Sequence, residues 1–90
     1  LETAHVFAAY AEKMAEHFKG RVRRWITLNE PQCFIGMGCG SGEHAPGLTL
    51  TGAAYKACWR NARLAHVLAA DAIHRADQSS QVGLSSTGNV

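Results

Sequence analysis

The apolar positions recur with a helical period in the first part of the chain. Between residues 3 and 19 they fall three or four apart and form one stripe, comprising Phe7, Tyr10, Ala11, Met14 and Phe18. Thr3 has a side chain suited to an N-cap, and Gly20 stands where helices often end in a left-handed residue. The pattern predicts a helix over residues 3–19.

A second helical pattern covers residues 51–76 and is rich in alanine. Its stripe comprises Tyr55, Cys58, Ala62, Ala65, Ala69, Ala72 and Ala76, widened by Trp59 and Ile73. Thr49 or Thr51 can serve as its N-cap. Because alanine side chains are short, we expect this helix to pack closely against a sheet.

Two further segments have the composition of β-strands. Residues 22–30 contain Val, Trp, Ile and Thr, and their nearly continuous apolar centre is typical of a strand covered on both faces. Strand alternation would place Leu28 and Glu30 on one face and Asn29 on the other, and Pro31 ends the strand. A shorter strand is predicted over residues 81–86.

Glycine and proline are concentrated between the first predicted strand and the second helix. The breakers in this segment are Gly36, Gly38, Gly40, Gly42, Pro46 and Gly47. We therefore expect residues 31–50 to form a loop without regular structure.

The predicted order of helix, strand, helix and strand indicates an α/β protein with parallel strands joined by helical crossovers. Two parallel strands leave faces and edges that two helices cannot cover. A complete TIM (β/α)₈ barrel takes about 250 residues. The 90 residues, which begin at Leu1 without an initiator Met, are expected to be an incomplete segment of such a barrel.

Composition excludes several other classes of protein. With 47% hydrophobic and 18% charged residues and a net charge of +2, disorder from charge repulsion is not expected. No apolar run approaches the roughly 20 residues of a membrane helix, so no membrane partner is expected. The basic cluster over residues 19–24 can be a phosphate-binding stripe or a solvated face at the entrance to the strand, and the solvated face is favoured. The cluster has no interleaved aromatics, so no nucleic-acid partner is expected.

The three cysteines, Cys33, Cys39 and Cys58, are an odd number for a disulfide framework, which favours a reducing, cytoplasmic location. Together with His44 they lack the paired C-x2-C spacing of zinc sites, so no metal is expected. His66 is interpreted as a structural histidine on the packed side of the second helix.

The chemistry is concentrated at the end of the first strand, in Thr27-Leu28-Asn29-Glu30-Pro31. A carboxyl and an amide there would lie at the C-terminal end of a parallel strand, where α/β barrels place their active sites. Glu30 can face a substrate in that position. It can equally cap the following turn or pair with an arginine, and the residues alone leave both open.

At this point the chain resembles the glycoside hydrolases of family 1, which include the β-glucosidases. The segment from Trp25 to Pro31 matches the family's W-x-T-x-N-E-P motif in full. Other matches are F-x-x-Y at Phe7 and Tyr10, F-x-x-R-V-x-x-W ending at Trp25, G-x-x-A-P-G ending at Gly47, and N-x-x-x-A-H ending at His66. The resemblance implies a stretch from the third helix to the fifth strand of the barrel.

The resemblance also implies a reaction. Glu30 would be the general acid/base of a retaining β-glycosidase that acts on β-glucosides or related β-glycosides, and Asn29 would bind the sugar's 2-hydroxyl. Neither a cofactor nor a metal is implied. The family's nucleophile, in a T/I-E-N-G motif on the seventh strand, has no counterpart in this sequence.

The missing nucleophile leaves two hypotheses. In the first, complementary chains of the same barrel supply the remaining strands and Glu30 works in the assembled enzyme, while the isolated chain is inactive. In the second, the chain is a non-catalytic structural fragment that folds only with the complementary segments.

Overall fold

Helices and strands alternate along the chain, as the hydrophobic pattern predicts. The computed structural model describes residues 2–85, with, in chain order, α1 Glu2–His17, β1 Arg24–Asn29, α2 Pro31–Ile35, a π-helical turn Gly36–Gly40, α3 Gly52–Ala76 and β2 Gln81–Ser85. The two strands run parallel and α3 connects them. The fold is α/β, with an open two-stranded sheet.

The element ends differ from prediction by a few residues. Thr3 is the second residue of α1, so its assignment as N-cap is wrong. Gly20 has a φ of +82°, which confirms the left-handed residue after the helix. Thr51 is the N-cap residue of α3, but its side chain makes no capping hydrogen bond. Ser86, at the end of the second predicted strand, lies outside the described residues.

The prediction of a structureless loop over residues 31–50 is wrong for its first half. Pro31 is tolerated in the first turn of α2, where its missing N–H has no helical partner. Gly36 has right-handed helical angles, φ −61° and ψ −46°, so the chain continues into the π-helical turn. The Ser41 N–H closes that turn on the Gly36 carbonyl at 2.9 Å.

The irregular segment that follows folds back onto the π-helical turn. The Leu48 N–H donates to the Gly38 carbonyl at 2.8 Å, and the Leu50 N–H donates to the Cys39 carbonyl at 2.7 Å. A Cβ added at Gly38 would lie 2.7 Å from the Ala45 carbonyl oxygen. Glycine is therefore required at position 38 by the close approach of the two backbone segments.

The core lies where α1 and α3 pack together on one face of the sheet. Its buried residues are Ala11, Ala15, Ala69 and Ile73, with Phe7, Trp25, Ala76 and Val82 packed around them. No large side chain among residues 2–85 is fully buried. Alanines thus let the two helices approach closely, but they remove little apolar surface from water.

Both long helices lie on the same face of the sheet and leave the other face open, as expected for two helices that cannot cover both. The strand is covered on the helical face alone, and Ile26 on the other face is 67% exposed. The expectation that Tyr10 lies in the packed stripe of α1 is wrong. Tyr10 lies outside the narrow buried stripe of α1 and is 61% exposed.

A β-bulge interrupts the pairing of the strands just before the predicted site. Ile26 pairs with Gly83 and Asn29 pairs with Ser85, so two residues of β1 stand opposite one residue of β2. Such an insertion changes which face the following side chains occupy.

Candidate functional site

Glu30 lies at the junction between β1 and α2, at the C-terminal end of the strand. Its N–H donates to the Ser85 carbonyl at 2.8 Å, and its own carbonyl accepts from the Cys33 N–H at 2.9 Å. Its backbone is left-handed, with φ 46° and ψ 61°. This conformation is unfavourable for a residue with a Cβ, and here it turns the chain sharply from the strand into the helix.

The Glu30 side chain is half-buried and does neither of the structural tasks considered from the sequence. It makes no capping hydrogen bond, although Glu30 is the N-cap residue of α2. Among residues 2–85 the ion pairs are those of Arg75 with Glu12 and Asp71, and none involves Glu30. The carboxylate accepts instead from the Cys33 thiol, across 3.6 Å.

The Cys33 thiol is affected in turn by its surroundings. Burial raises its pKa, and the hydrogen bond to Glu30 and the negative charge of that carboxylate raise it further. This pair is not apparent from the sequence motif alone. Pro31 in the first helical turn was the available signal, since it makes Glu30 the N-cap and places Cys33 one turn inside.

Asn29 is exposed and lies on the face of the sheet opposite the helices. On β2, Val82 packs against the core and Leu84 lines a cavity with α3, so Ser85 faces away from the helices. Asn29 is paired with Ser85 and shares that orientation. Leu28 lines the cavity on the helical side, so Leu28 and Asn29 lie on opposite faces, as strand alternation predicts. Counted from Trp25 without the bulge, however, alternation would turn Asn29 toward the helices.

A cavity of about 460 Å³ lies on the helical side of the strand ends. Its apolar lining includes Leu28, Trp59 and Leu84, and its cationic lining consists of Lys56, Arg60 and Arg63. Pro31, the residue after Glu30, also lines it. Trp59, which the sequence pattern places at the margin of the apolar stripe of α3, is 36% exposed.

His66 joins α3 to the strand carrying the site. Its Nδ1 lies 2.5 Å from the Thr27 Oγ1, within hydrogen-bond distance. The residue is half-buried, and a half-buried histidine with a hydrogen-bond partner agrees with its interpretation as a structural residue. The Thr27 hydroxyl also lies 3.4 Å from the Gly83 carbonyl, to which it can donate.

The remaining cysteines form a separate pair. Buried Cys39 is hydrogen-bonded to Cys58, and this bond, followed by burial, raises the pKa of its thiol. All three cysteines are free thiols.

Residues 2–85 include neither a cluster of metal ligands nor a membrane-spanning helix. No group of three His, Cys, Asp or Glu side chains there is placed to hold a metal ion. None of the helices in that range has the length and apolar character needed to span a bilayer.

Comparison with known proteins gives a consistent result. The family model described as Glycosyl hydrolase family 1 matches residues 1–90. A bifunctional β-D-glucosidase/β-D-fucosidase of Bifidobacterium breve is 40% identical over 89 residues, which cover 99% of this chain and 19% of that protein. β-Glucosidase A of Thermotoga maritima is 35% identical over 83 residues, covering 92% and 18%.

A solved structure shares the arrangement of elements. The AHE enzyme from Alicyclobacillus herbarius superposes with a TM-score of 0.76 at 32% sequence identity, over 92% of this chain and 19% of that one. The chain therefore spans about a fifth of the length of these three proteins.

Proposed function

The chain belongs to glycosyl hydrolase family 1, and from that premise we propose that it is a segment of a (β/α)₈ barrel that supplies the general acid/base of a retaining β-glycosidase. Its relatives include β-glucosidases, which act on β-glucosides. The proposed substrates are β-glucosides or related β-glycosides.

The observation that carries the proposal is the position of Glu30. Its half-buried carboxylate stands at the C-terminal end of a parallel strand, and no Lys or Arg among residues 2–85 pairs with it. A catalytic acid must be able to exchange its proton with a substrate, and a salt bridge to a fixed cation would oppose protonation.

In the proposed reaction Glu30 acts twice. As a carboxylic acid it gives its proton to the glycosidic oxygen as that bond breaks, while a second carboxylate attacks the sugar carbon. As a carboxylate it then takes a proton from the water that hydrolyses the glycosyl-enzyme intermediate. The second carboxylate, about 5–5.5 Å away in retaining enzymes, would come from a complementary part of the barrel.

Asn29 is proposed to bind the substrate. Its side chain lies on the sheet face away from the helices, which is the face that becomes the interior when parallel strands close into a barrel. An amide there can hydrogen-bond the 2-hydroxyl of the sugar, a contact that strengthens in the transition state.

A segment exchange tests the proposal. Residues 1–90 replace the matching segment of the Bifidobacterium breve enzyme, which gives a complete barrel, here called the segment-exchanged enzyme. Glu30→Gln in this enzyme is expected to lower kcat about 10²- to 10⁴-fold on β-glucosides with poor leaving groups. Substrates with an activated aryl leaving group need little proton donation for the first step and should lose less of their glycosylation rate.

Glu43→Gln is the matched control, because Glu43 is an exposed acid of the segment after the π-helical turn. It should leave kcat unchanged. If Glu30→Gln also leaves kcat unchanged on poor leaving groups, the acid/base assignment is wrong. An exchanged enzyme that folds with native-like circular dichroism but has no activity would favour the structural-fragment hypothesis.

A further inference from the structure

The bulge in β1 determines which face of the sheet the Asn29 side chain occupies. The first residue of the bulge is Thr27, which has a hydroxyl group. Thr27 and Leu28 together stand opposite one residue of β2, and Asn29 and Glu30 follow directly. Without the extra residue Asn29 would occupy the same face as Trp25, against the helices. An interaction that holds the bulge in one conformation therefore also determines where Asn29 and Glu30 lie.

The Thr27 hydroxyl contacts both neighbouring elements. Its Oγ1 is 2.5 Å from the His66 Nδ1 on α3 and 3.4 Å from the Gly83 carbonyl on β2. A hydroxyl has one proton, and a carbonyl can only accept. If the Thr27 proton points to Gly83, the proton in the shorter contact must be on the His66 Nδ1.

We propose that His66 is a positioning residue of the proposed glycosidase site, which holds the β1 bulge through Thr27 and so aims Asn29 and Glu30. The expected effect on turnover rests on the proposed function. The hydrogen bond between His66 and Thr27 does not depend on that function. His66 touches no substrate in this scheme, and it acts by keeping the strand end in one conformation.

The half-buried environment supports this assignment over an incidental contact. Both partners are half-buried, and His66 lines the cavity with Leu28 and Leu84. Loss of one partner would leave a partly desolvated polar group unpaired, which favours rearrangement of the irregular strand segment over retention of its geometry. The register at Asn29 would change first, since it follows the bulge directly.

The first test is spectroscopic and uses the segment-exchanged enzyme. Nitrogen-15 NMR of selectively labelled histidine is expected to show His66 as the Nδ1–H tautomer at neutral to alkaline pH, and Thr27→Val should change that signal. Thr27→Ser keeps the hydroxyl and should preserve it. A His66 signal that is the same in Thr27→Val as in the parent would overturn the proposed bond.

The second test is kinetic. His66→Leu and Thr27→Val are each expected to lower kcat by roughly 10- to 100-fold on β-glucosides with poor leaving groups, the scale of a misplaced catalytic group. His66→Asn retains a polar atom near the Nδ1 position and should restore much of the loss. On 2-deoxy-glucosides, which lack the Asn29 contact, the relative loss should be smaller.

A purely structural histidine gives a different result. In that case His66→Leu lowers Tm but leaves the leaving-group dependence and the 2-deoxy comparison as in the parent enzyme, and the proposal is then wrong. The result is separable from the proposed function. If Glu30→Gln impairs turnover while His66→Leu does not, this inference alone fails; if Glu30→Gln has no effect, the proposed function fails whatever His66 does.

Discussion

The Cys33 thiol donates to the Glu30 carboxylate across 3.6 Å at the first turn of α2. The same pair is joined through the backbone, where the Cys33 N–H donates to the Glu30 carbonyl at 2.9 Å. Two contacts between an N-cap residue and the residue one turn later fix the direction in which the helix leaves the strand.

This contact predicts a change in thiol reactivity. Burial, the hydrogen bond and the Glu30 charge all raise the pKa of Cys33. Glu30→Gln removes the charge, so the thiol pKa should fall and alkylation of Cys33 by iodoacetamide at neutral pH should become faster. Peptide mass spectrometry of the segment-exchanged enzyme measures the rate at each cysteine.

Because iodoacetamide is uncharged, the faster rate cannot come from attraction of the reagent. Glu43→Gln serves as the control and should leave the rate at Cys33 as it is. A Cys33 rate that does not respond to Glu30→Gln would show that the two side chains do not interact in solution.

A second prediction compares two glycines of one turn. Gly38→Ala would place a Cβ 2.7 Å from the Ala45 carbonyl oxygen, whereas Gly36→Ala meets nothing within 4 Å. Overpacking of this kind costs about 1–3 kcal/mol. In the segment-exchanged enzyme we expect Gly38→Ala to lower Tm, and Gly36→Ala, at a right-handed helical position, to leave it unchanged or slightly raised. Equal Tm values for the two variants would argue against the backbone contact.

A third prediction concerns acid stability. Asp77 is 6% exposed, and its carboxylate accepts from the Ser79 hydroxyl at 2.7 Å and the Ser79 N–H at 3.1 Å. These bonds lower the pKa of Asp77 in the folded state. A lowered pKa contributes stability above the unfolded value of about 3.9, and that contribution is lost as pH falls through the folded pKa.

Ser79→Ala should therefore lower Tm at neutral pH, and the difference from the parent should shrink as the buffer is made more acidic than about pH 3.9. Gln78→Ala changes an exposed neighbour and is the control for the turn itself. Differential scanning calorimetry of the segment-exchanged enzyme across this pH range measures both. A Ser79→Ala difference that grows toward acid would have the wrong sign for this explanation.

A fourth prediction concerns the isolated chain. Its buried residues are mainly alanines, and no large side chain among residues 2–85 is fully buried. Since apolar burial contributes about 25 cal/mol per Å², so small a core is a weak source of cooperativity. The helical circular dichroism signal should decline gradually on heating. A sharp transition that is independent of protein concentration would show that the chain is a self-sufficient domain.

The sequence predicted the long elements well, because their signals are local and repeated. The period of α3 identified Ala69, Ala72 and Ile73 as its buried face, and the order of elements predicted the parallel pairing. The sequence could not predict α2, because proline and glycine usually interrupt helices. Here Pro31 lies in the first helical turn and Gly36 has right-handed helical angles, so neither residue interrupts the helix.

The site was predicted in its residue types but not in its orientation. The motif singled out Asn29 and Glu30, whose proposed roles stay predictions. The face of the sheet that their side chains occupy depends on a bulge between Ile26 and Asn29. The bulge in turn depends on pairing with a strand more than 50 residues away. Alternation within one strand contains no information about such an insertion, and the Thr27–His66 bond is equally long-range.

The left-handed backbone at Glu30 has a consequence for directed evolution of this segment. A Cβ at φ 46° is disfavoured, whereas glycine and, to a lesser degree, asparagine adopt that conformation readily. A library at this codon selected by heat challenge alone should thus be enriched in glycine, and one selected by growth on a β-glucoside should return glutamate. Selection for stability and selection for activity would therefore favour different residues at position 30.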